Sequence, residues 1–183
     1  MKPEAPPEYY DKVFAGGRYE RNRQFYYDWA VKTVVGFGMS SQKGLDIGCG
    51  PGGFLQTAVE AGLNIDGLDF SPEAVKQSRA RTQGKCQIWL STFEDFSQWD
   101  NYQYFTILET LEHVVNDLNL IRTLPTGVLI VGSVPSTNDP SHIRRFTGGV
   151  HQVLQRYSEV LDGMECKALS KTLFGFTGRV KPG

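Results

Sequence analysis

The sequence of 183 residues is short of cysteine, lacks any long apolar run and has no surplus of either charge. Its three cysteines, Cys49, Cys86 and Cys166, are too few and too widely spaced for a disulfide framework or a zinc site. Each reads as a small packed side chain, and a reducing cytoplasm is the expected setting. Lys and Arg total 19 against 20 Asp and Glu, a formal charge of −1. That balance argues against a nucleic-acid partner, which usually needs a basic stripe. The positive clusters are short: Arg18, Arg21 and Arg23, then Arg144 and Arg145. No stretch approaches the roughly 20 apolar residues that span a bilayer, and MKPEAPPEYY has no apolar heart of a signal peptide. The prolines of residues 1–8 suggest a disordered lead-in. With 40% hydrophobic and 21% charged residues, the chain is expected to form one globular domain over residues 1–183.

What is present is alternation. Strand candidates are Gly44–Ile47, Asn64–Leu68, Cys86–Leu90, Tyr104–Leu108 and Val128–Ser133. Helix candidates lie near Asn22–Val35, Gly53–Ala61, Pro72–Thr82, Leu111–Thr123 and Gly149–Asp162. Glu165–Ser170 and Leu173–Val180 suit two closing strands. This order predicts an α/β fold with a doubly wound, mostly parallel sheet. One helix start is chemically explicit: Ser71 can cap, Pro72 fits the first helical position and Glu73 faces the positive helix end.

The strongest local pattern is LDIGCGPGGF, residues 45–54, where an apolar strand runs through glycines into a helix. Gly48, Gly50 and Gly53 spell GxGxxG, the spacing used where main chain turns sharply and a ligand approaches it. Asp69 follows Gly48 by 21 residues, at the end of the next strand, where a carboxylate can accept ribose hydroxyls. A nicotinamide dinucleotide is one ligand of such a turn. Asp46 opposes it, because a carboxylate there repels pyrophosphate and suits an ammonium. A tight turn with no ligand is the plainer alternative.

This pattern resembles the Rossmann-like, class I S-adenosylmethionine-dependent methyltransferases. LDIGCGPGGF is similar to their first motif, LDF (68–70) to the acidic second-strand motif and STFEDF (91–96) to the adenine-side motif. TILETLEHV (106–114) and LPTGVLIVGSVPS (124–136) resemble the fourth-strand signature and the lead into the fifth strand. RFTGGVHQVLQRYSEVLDGMEC resembles the late helix and sixth strand. The likeness covers residues 43–180 and leans towards the small-molecule branch that includes ubiquinone-pathway O-methyltransferases. It implies a seven-stranded sheet with an antiparallel last strand, a cofactor-binding core over 43–180 and a helical lid over 9–40. It implies S-adenosylmethionine as methyl donor to a small or modest-sized acceptor, oxygen favoured. By the same resemblance Gly48 and Gly50 approach the methionine part and Asp46 its ammonium. Asp69 takes the ribose, Phe70 lies against adenine, Thr92, Phe93 and Glu94 border it, and Leu108 lines the reacting centre. Thr92 stands where the family commonly has aspartate.

Glu109, Glu112 and His113 stand at i, i+3 and i+4, one face of a helix if one begins after the fourth strand. His113 could serve as general base. Alternatively Glu109, Glu112 and His113, with His142 completing the set, could hold a divalent ion such as Mg²⁺. The ExxEH spacing resembles the metal cluster of small-RNA 2′-O-methyltransferases, so metal-assisted methylation of RNA ends is a further alternative. A plain helix-start carboxylate beside a hydrogen-bonded histidine is the other. The polar segment 133–147 is long enough for a binding loop, in which His142, Arg144 and Arg145 could grip an acceptor, or the arginines could simply fasten the loop to the chain's own acids. Tyr9, Tyr10, Tyr19, Tyr26 and Tyr27 suit a lid or simple aromatic packing, with Arg23 reaching towards the cofactor carboxylate. An oxidoreductase that binds NAD, or a cofactor-binding subunit without catalysis, remain the competing classes.

Overall fold

A computed structural model describes residues 3–17 and 23–183. Arg18, Tyr19, Arg21 and Asn22 lie outside the described residues. Seven strands, β1 (Lys43–Ile47), β2 (Asn64–Asp69), β3 (Ile88–Leu90), β4 (Tyr104–Leu108), β5 (Leu129–Pro135), β6 (Leu161–Ala168) and β7 (Leu173–Val180), form one sheet in the order β3-β2-β1-β4-β5-β7-β6. Six α-helices accompany them: α1 (Pro7–Ala15), α2 (Gln24–Gly36), α3 (Gly53–Glu60), α4 (Pro72–Thr82), α5 (Asp117–Thr123) and α6 (Gly149–Tyr157). The chain divides into two compact units, Pro6–Thr106 and Ile107–Gly183 with Met1–Ala5.

In the first unit β1 pairs in parallel with β2 and with the start of β4, and β2 pairs with β3. The strands are buried on both faces, as helix-covered parallel strands are; Leu45, Ile65, Leu68, Ile88 and Phe105 supply apolar core, and Asp46, Asp66 and Asp69 are buried beside them. Gly44 is required here, because a Cβ would stand 2.1 Å from the Tyr104 ring. The start predicted for α4 is observed. Ser71 Oγ accepts from the Ala74 amide at 3.1 Å and Pro72 opens the helix. Gln83 ends it in the left-handed region at φ 53°. β3 is shorter than predicted. The Gln87 amide turns to the Asp66 side chain at 3.1 Å, and Lys85 closes a turn on Thr82, so Cys86 stays outside the strand.

α1 starts inside the stretch whose prolines suggested disorder up to residue 8 and runs into the helical lid implied over 9–40. Pro7 instead occupies the first turn, where its missing amide costs nothing, and Tyr10 and Phe14 are buried on one face. Asp11 receives the Ser71 hydroxyl and the Glu73 amide, the latter at 3.2 Å, so α1 supplies a second cap to α4.

In the second unit β7 runs antiparallel to both β5 and β6, as expected of the last strand. β6 begins at Leu161, earlier than predicted, because α6 ends at Tyr157 rather than Asp162. Phe176 stacks on Tyr157 (centroids 5.0 Å apart) and crosses Gly132, where a Cβ would meet its ring at 2.2 Å. The helix predicted over Leu111–Thr123 begins only at Asp117. Glu109 has φ 49° and its amide goes to Ser133, so residues 111–116 form turns instead.

Candidate functional site

The glycine turn between β1 and α3 lies in the first unit. Gly48, Gly50 and Gly52 have φ of 73°, 52° and 81°, a conformation that L side chains resist. The third obligatory glycine is thus Gly52 and not Gly53 of the GxGxxG spelling. At Gly52 a Cβ would also meet Ser78 Oγ at 2.6 Å. Gly53 is under a milder restraint: a Cβ there would approach the Tyr27 hydroxyl at 3.0 Å, a contact that a small shift of that side chain relieves. The amides of Gly48 and Cys49 bond to the Leu68 carbonyl at 2.8 and 3.0 Å, fastening the turn to the end of β2.

Asp69 fastens it further. Its Oδ2 accepts from the Gly50 amide at 2.8 Å and its Oδ1 from the Ser71 amide at 2.9 Å. Burial raises its pKa to about 6, against the pull of those backbone donors. Asp46 is buried at the C-terminal half of β1 and accepts the Thr106 hydroxyl at 2.6 Å. Burial, reinforced by the charge of Asp69, lifts it to about 8. A buried carboxyl of this kind is largely neutral at pH 7 and ionises when a cation arrives.

α1 packs over this turn. Phe14 would lie 3.6 Å from a Cβ on Gly50, and Tyr10 meets Phe70 edge-on with centroids 5.4 Å apart. Gln77 of α4 donates to the Phe14 carbonyl at 3.3 Å. Tyr9 packs on Tyr10, and Tyr27 on Phe54. Arg23 donates to the Tyr26 hydroxyl at 3.0 Å. Thr92 is engaged locally, donating to Asp95 at 2.9 Å and accepting the Asp95 amide. Phe93 is half-buried and Glu94 exposed. Cys49 is buried and its thiol is pushed well up by burial, so it is an inert packed residue, as the sequence suggested.

In the second unit Leu108, half-buried, ends β4. Beyond it Glu112, His113 and His142 come together, with ligand-capable atoms all within 4.8 Å of one another. His113 Nε2 is 3.7 Å from Glu112 Oε1, and the two imidazoles meet edge-on with centroids 4.9 Å apart. Each ring is oriented by main chain: His113 Nδ1 faces the Ser141 carbonyl at 3.2 Å and His142 Nδ1 the Thr137 carbonyl at 3.0 Å. A carbonyl oxygen only accepts, so each Nδ1 carries a proton and Nε2 is the ring nitrogen that can offer a lone pair. Carbonyls holding the second ring nitrogen in this way are the usual support of a metal-binding histidine. Glu109 is not part of the cluster; its left-handed turn removes it from the face it would share on a helix. Two imidazoles and one carboxylate suit Zn²⁺, Mn²⁺ or Co²⁺, whereas Mg²⁺ prefers oxygen. The donor set therefore does not favour Mg²⁺, the example of a divalent ion that the sequence reading offered. Nor is Arg144 available to an acceptor: its guanidinium is spent on the carbonyls of Leu111, Val114 and Val115 and on Asp117.

A seven-stranded sheet in this order, with an antiparallel final strand and a glycine turn after β1, is the fold of the Rossmann-like methyltransferases. Residues 45–124 match a family described as "Methyltransferase domain". Among curated proteins the chain is 27% identical over 161 residues to the ubiquinone biosynthesis O-methyltransferase of Actinobacillus pleuropneumoniae serotype 7, covering 79% of this chain and 62% of that protein. It is 33% identical over 91 residues to the Vibrio parahaemolyticus protein of the same name, covering 47% of this chain and 39% of the other. The chain thus spans less than two thirds of the length of these relatives. Among solved structures it resembles the N-methyltransferase NodS from Bradyrhizobium japonicum, bound to S-adenosyl-L-homocysteine, with TM-score 0.63 and 15% identity over 88% of this chain and 90% of that one. Magnesium protoporphyrin IX methyltransferase from Synechocystis, also with S-adenosylhomocysteine, gives TM-score 0.68 and 12% identity over 96% and 99%. No helix among the described residues is long and apolar enough to cross a membrane.

Proposed function

We propose that the protein transfers the methyl group of S-adenosylmethionine to a hydroxyl oxygen of a small acceptor. The observation that carries this reading is the glycine turn held by Asp69 with Asp46 buried beside it. Asp46 is a buried acid that an arriving ammonium can ionise and pair with, and it offers a pyrophosphate no positive charge. When bound, the donor supplies an electrophilic methyl group on a sulfonium. The chain's own residues bind and align. Asp46 holds the ammonium, Asp69 the ribose, and Phe70 and Phe93 flank the adenine. Alignment of donor and acceptor can lower such a barrier by up to about 7–11 kcal/mol. Three free cysteines support a reducing, cytoplasmic setting. Titration calorimetry with S-adenosylhomocysteine should show binding and with NAD none. Heat with NAD alone would refute the reading.

The cluster of Glu112, His113 and His142 serves the acceptor in this proposal. Its donor set and backbone-oriented rings favour a bound transition-metal ion, which would acidify the acceptor hydroxyl. Without an ion, His113 Nε2 can take the proton itself. Activity lost with chelator and restored by Zn²⁺ or Mn²⁺ supports the ion; indifference to both leaves His113 as base.

A further inference from the structure

Arg144 stands at the centre of a network that no binding role requires. Its guanidinium donates to the carbonyls of Leu111, Val114 and Val115, the last at 2.9 Å, and lies 3.2 Å from Asp117 Oδ1. Those carbonyls belong to the turns between β4 and α5 that carry Glu112 and His113. Backbone beside Arg144 reaches the same turns, with the Ile143 amide bonding to the Glu112 carbonyl at 2.8 Å. One residue earlier in that loop is His142, and the Ser141 carbonyl orients His113. Asp117 is fully buried and accepts Arg156 through Nε at 2.8 Å and Nη2 at 2.6 Å, with the Tyr157 hydroxyl at 3.1 Å. Two guanidinium cations therefore stand against the one buried carboxylate of Asp117.

We propose that Arg144, neutralised by Asp117, is the positioning residue that holds Glu112, His113 and His142 in one constellation. This rests on the reading that those three residues act together. The physical argument is one of donors. A turn that is not helical leaves its carbonyls without the regular amide partners, and three of them converge on one point. Only a guanidinium offers enough fixed donors to serve three carbonyls and a carboxylate at once. An ammonium supplies a point charge and three rotating donors, so Arg144→Lys keeps the charge and loses the bracing. Arg156 differs: it shares Asp117 but touches no carbonyl of the turn in the bonds described above. It thus serves as the control for a merely stabilising role.

The test is a Co²⁺ titration of the full chain, read by the visible absorption of the bound ion, with thermal unfolding recorded beside it. Wild type should bind one ion and His142→Ala none. Folded Arg144→Lys should bind about 10–100-fold more weakly and with an altered band, while Arg156→Lys melts earlier yet keeps wild-type affinity. If Arg144→Lys does not fold, Asp117→Asn carries the same expectation. A folded Arg144→Lys with wild-type affinity and spectrum overturns the proposal. If wild type binds no Co²⁺, the ion reading fails alone, and nitrogen NMR of the imidazoles decides the positioning role. Loss of the Nδ1–H form of His113 in Arg144→Lys supports it, and an unchanged His113 overturns it.

Discussion

Asp46 and Asp69 are buried carboxyls on the adjacent strands β1 and β2, yet their partners set them apart. Asp69 is fed by main-chain amides and rises only to about 6, whereas Asp46 has the Thr106 hydroxyl and rises to about 8. On the proposed reading an ammonium ligand must ionise Asp46, so binding releases a proton at pH 7. Affinity for S-adenosylhomocysteine then climbs with pH by up to about tenfold per unit below pH 8. Calorimetry in two buffers of different ionisation enthalpy measures that proton, and equal heats in both would remove Asp46 from the ammonium site. In the empty protein the sign is opposite for stability. A folded pKa raised from 3.8 to about 8 gives a contribution present at low pH and lost as pH rises through 8. Asp46→Asn should accordingly raise the melting temperature at pH 9 more than at pH 6 while weakening the ligand. The place of Asp69 beside the glycine turn could be read from its spacing to the glycines. For Arg144 the sequence offered an acid as partner, and Asp117 is one; its other partners are carbonyls, which every residue possesses and no sequence marks.

Elements were legible where side chains announce them. α4 is bounded as predicted because Ser71 and Pro72 are specific to a helix start. α5 was placed six residues early because Glu109, Glu112 and His113 have helical spacing, and nothing in the sequence marks a left-handed Glu109. The start of α1 was hidden by prolines that mark both disorder and a first helical turn, while its continuation fell within the helical lid implied from residue 9. The glycine turn was found by its spelling, but its conformation selects Gly52 over Gly53. Gly52→Ala combines a left-handed φ with a Cβ 2.9 Å from Ser78 Cα, so it should destabilise the fold by more than about 1 kcal/mol. Denaturant unfolding would show it, and a neutral result would mean that α4 yields easily. Ser71→Ala removes the cap of α4 and a bond to Asp11, and about 1 kcal/mol should be lost by the same measurement.

For the molecule as a whole, alternation of strands and helices disclosed the sheet, because buried parallel strands must be continuous apolar runs and amphipathic helices must cover them. The strand order came from resemblance, as pairing partners leave no local trace. Above the glycine turn α1 packs with Tyr10 against Phe70. On the proposed reading adenine takes that side of Phe70, so the ring of Tyr10 has to swing aside before a nucleoside can settle. Arrival in such a case is paced by the protein and not by collision: the observed rate should climb with nucleoside concentration and then flatten at the frequency with which α1 lifts. Stopped-flow fluorescence would register that plateau, and Tyr10→Ala should move it upward. The helix at the front of the chain would then act as a doorkeeper, trading speed of capture for a longer stay.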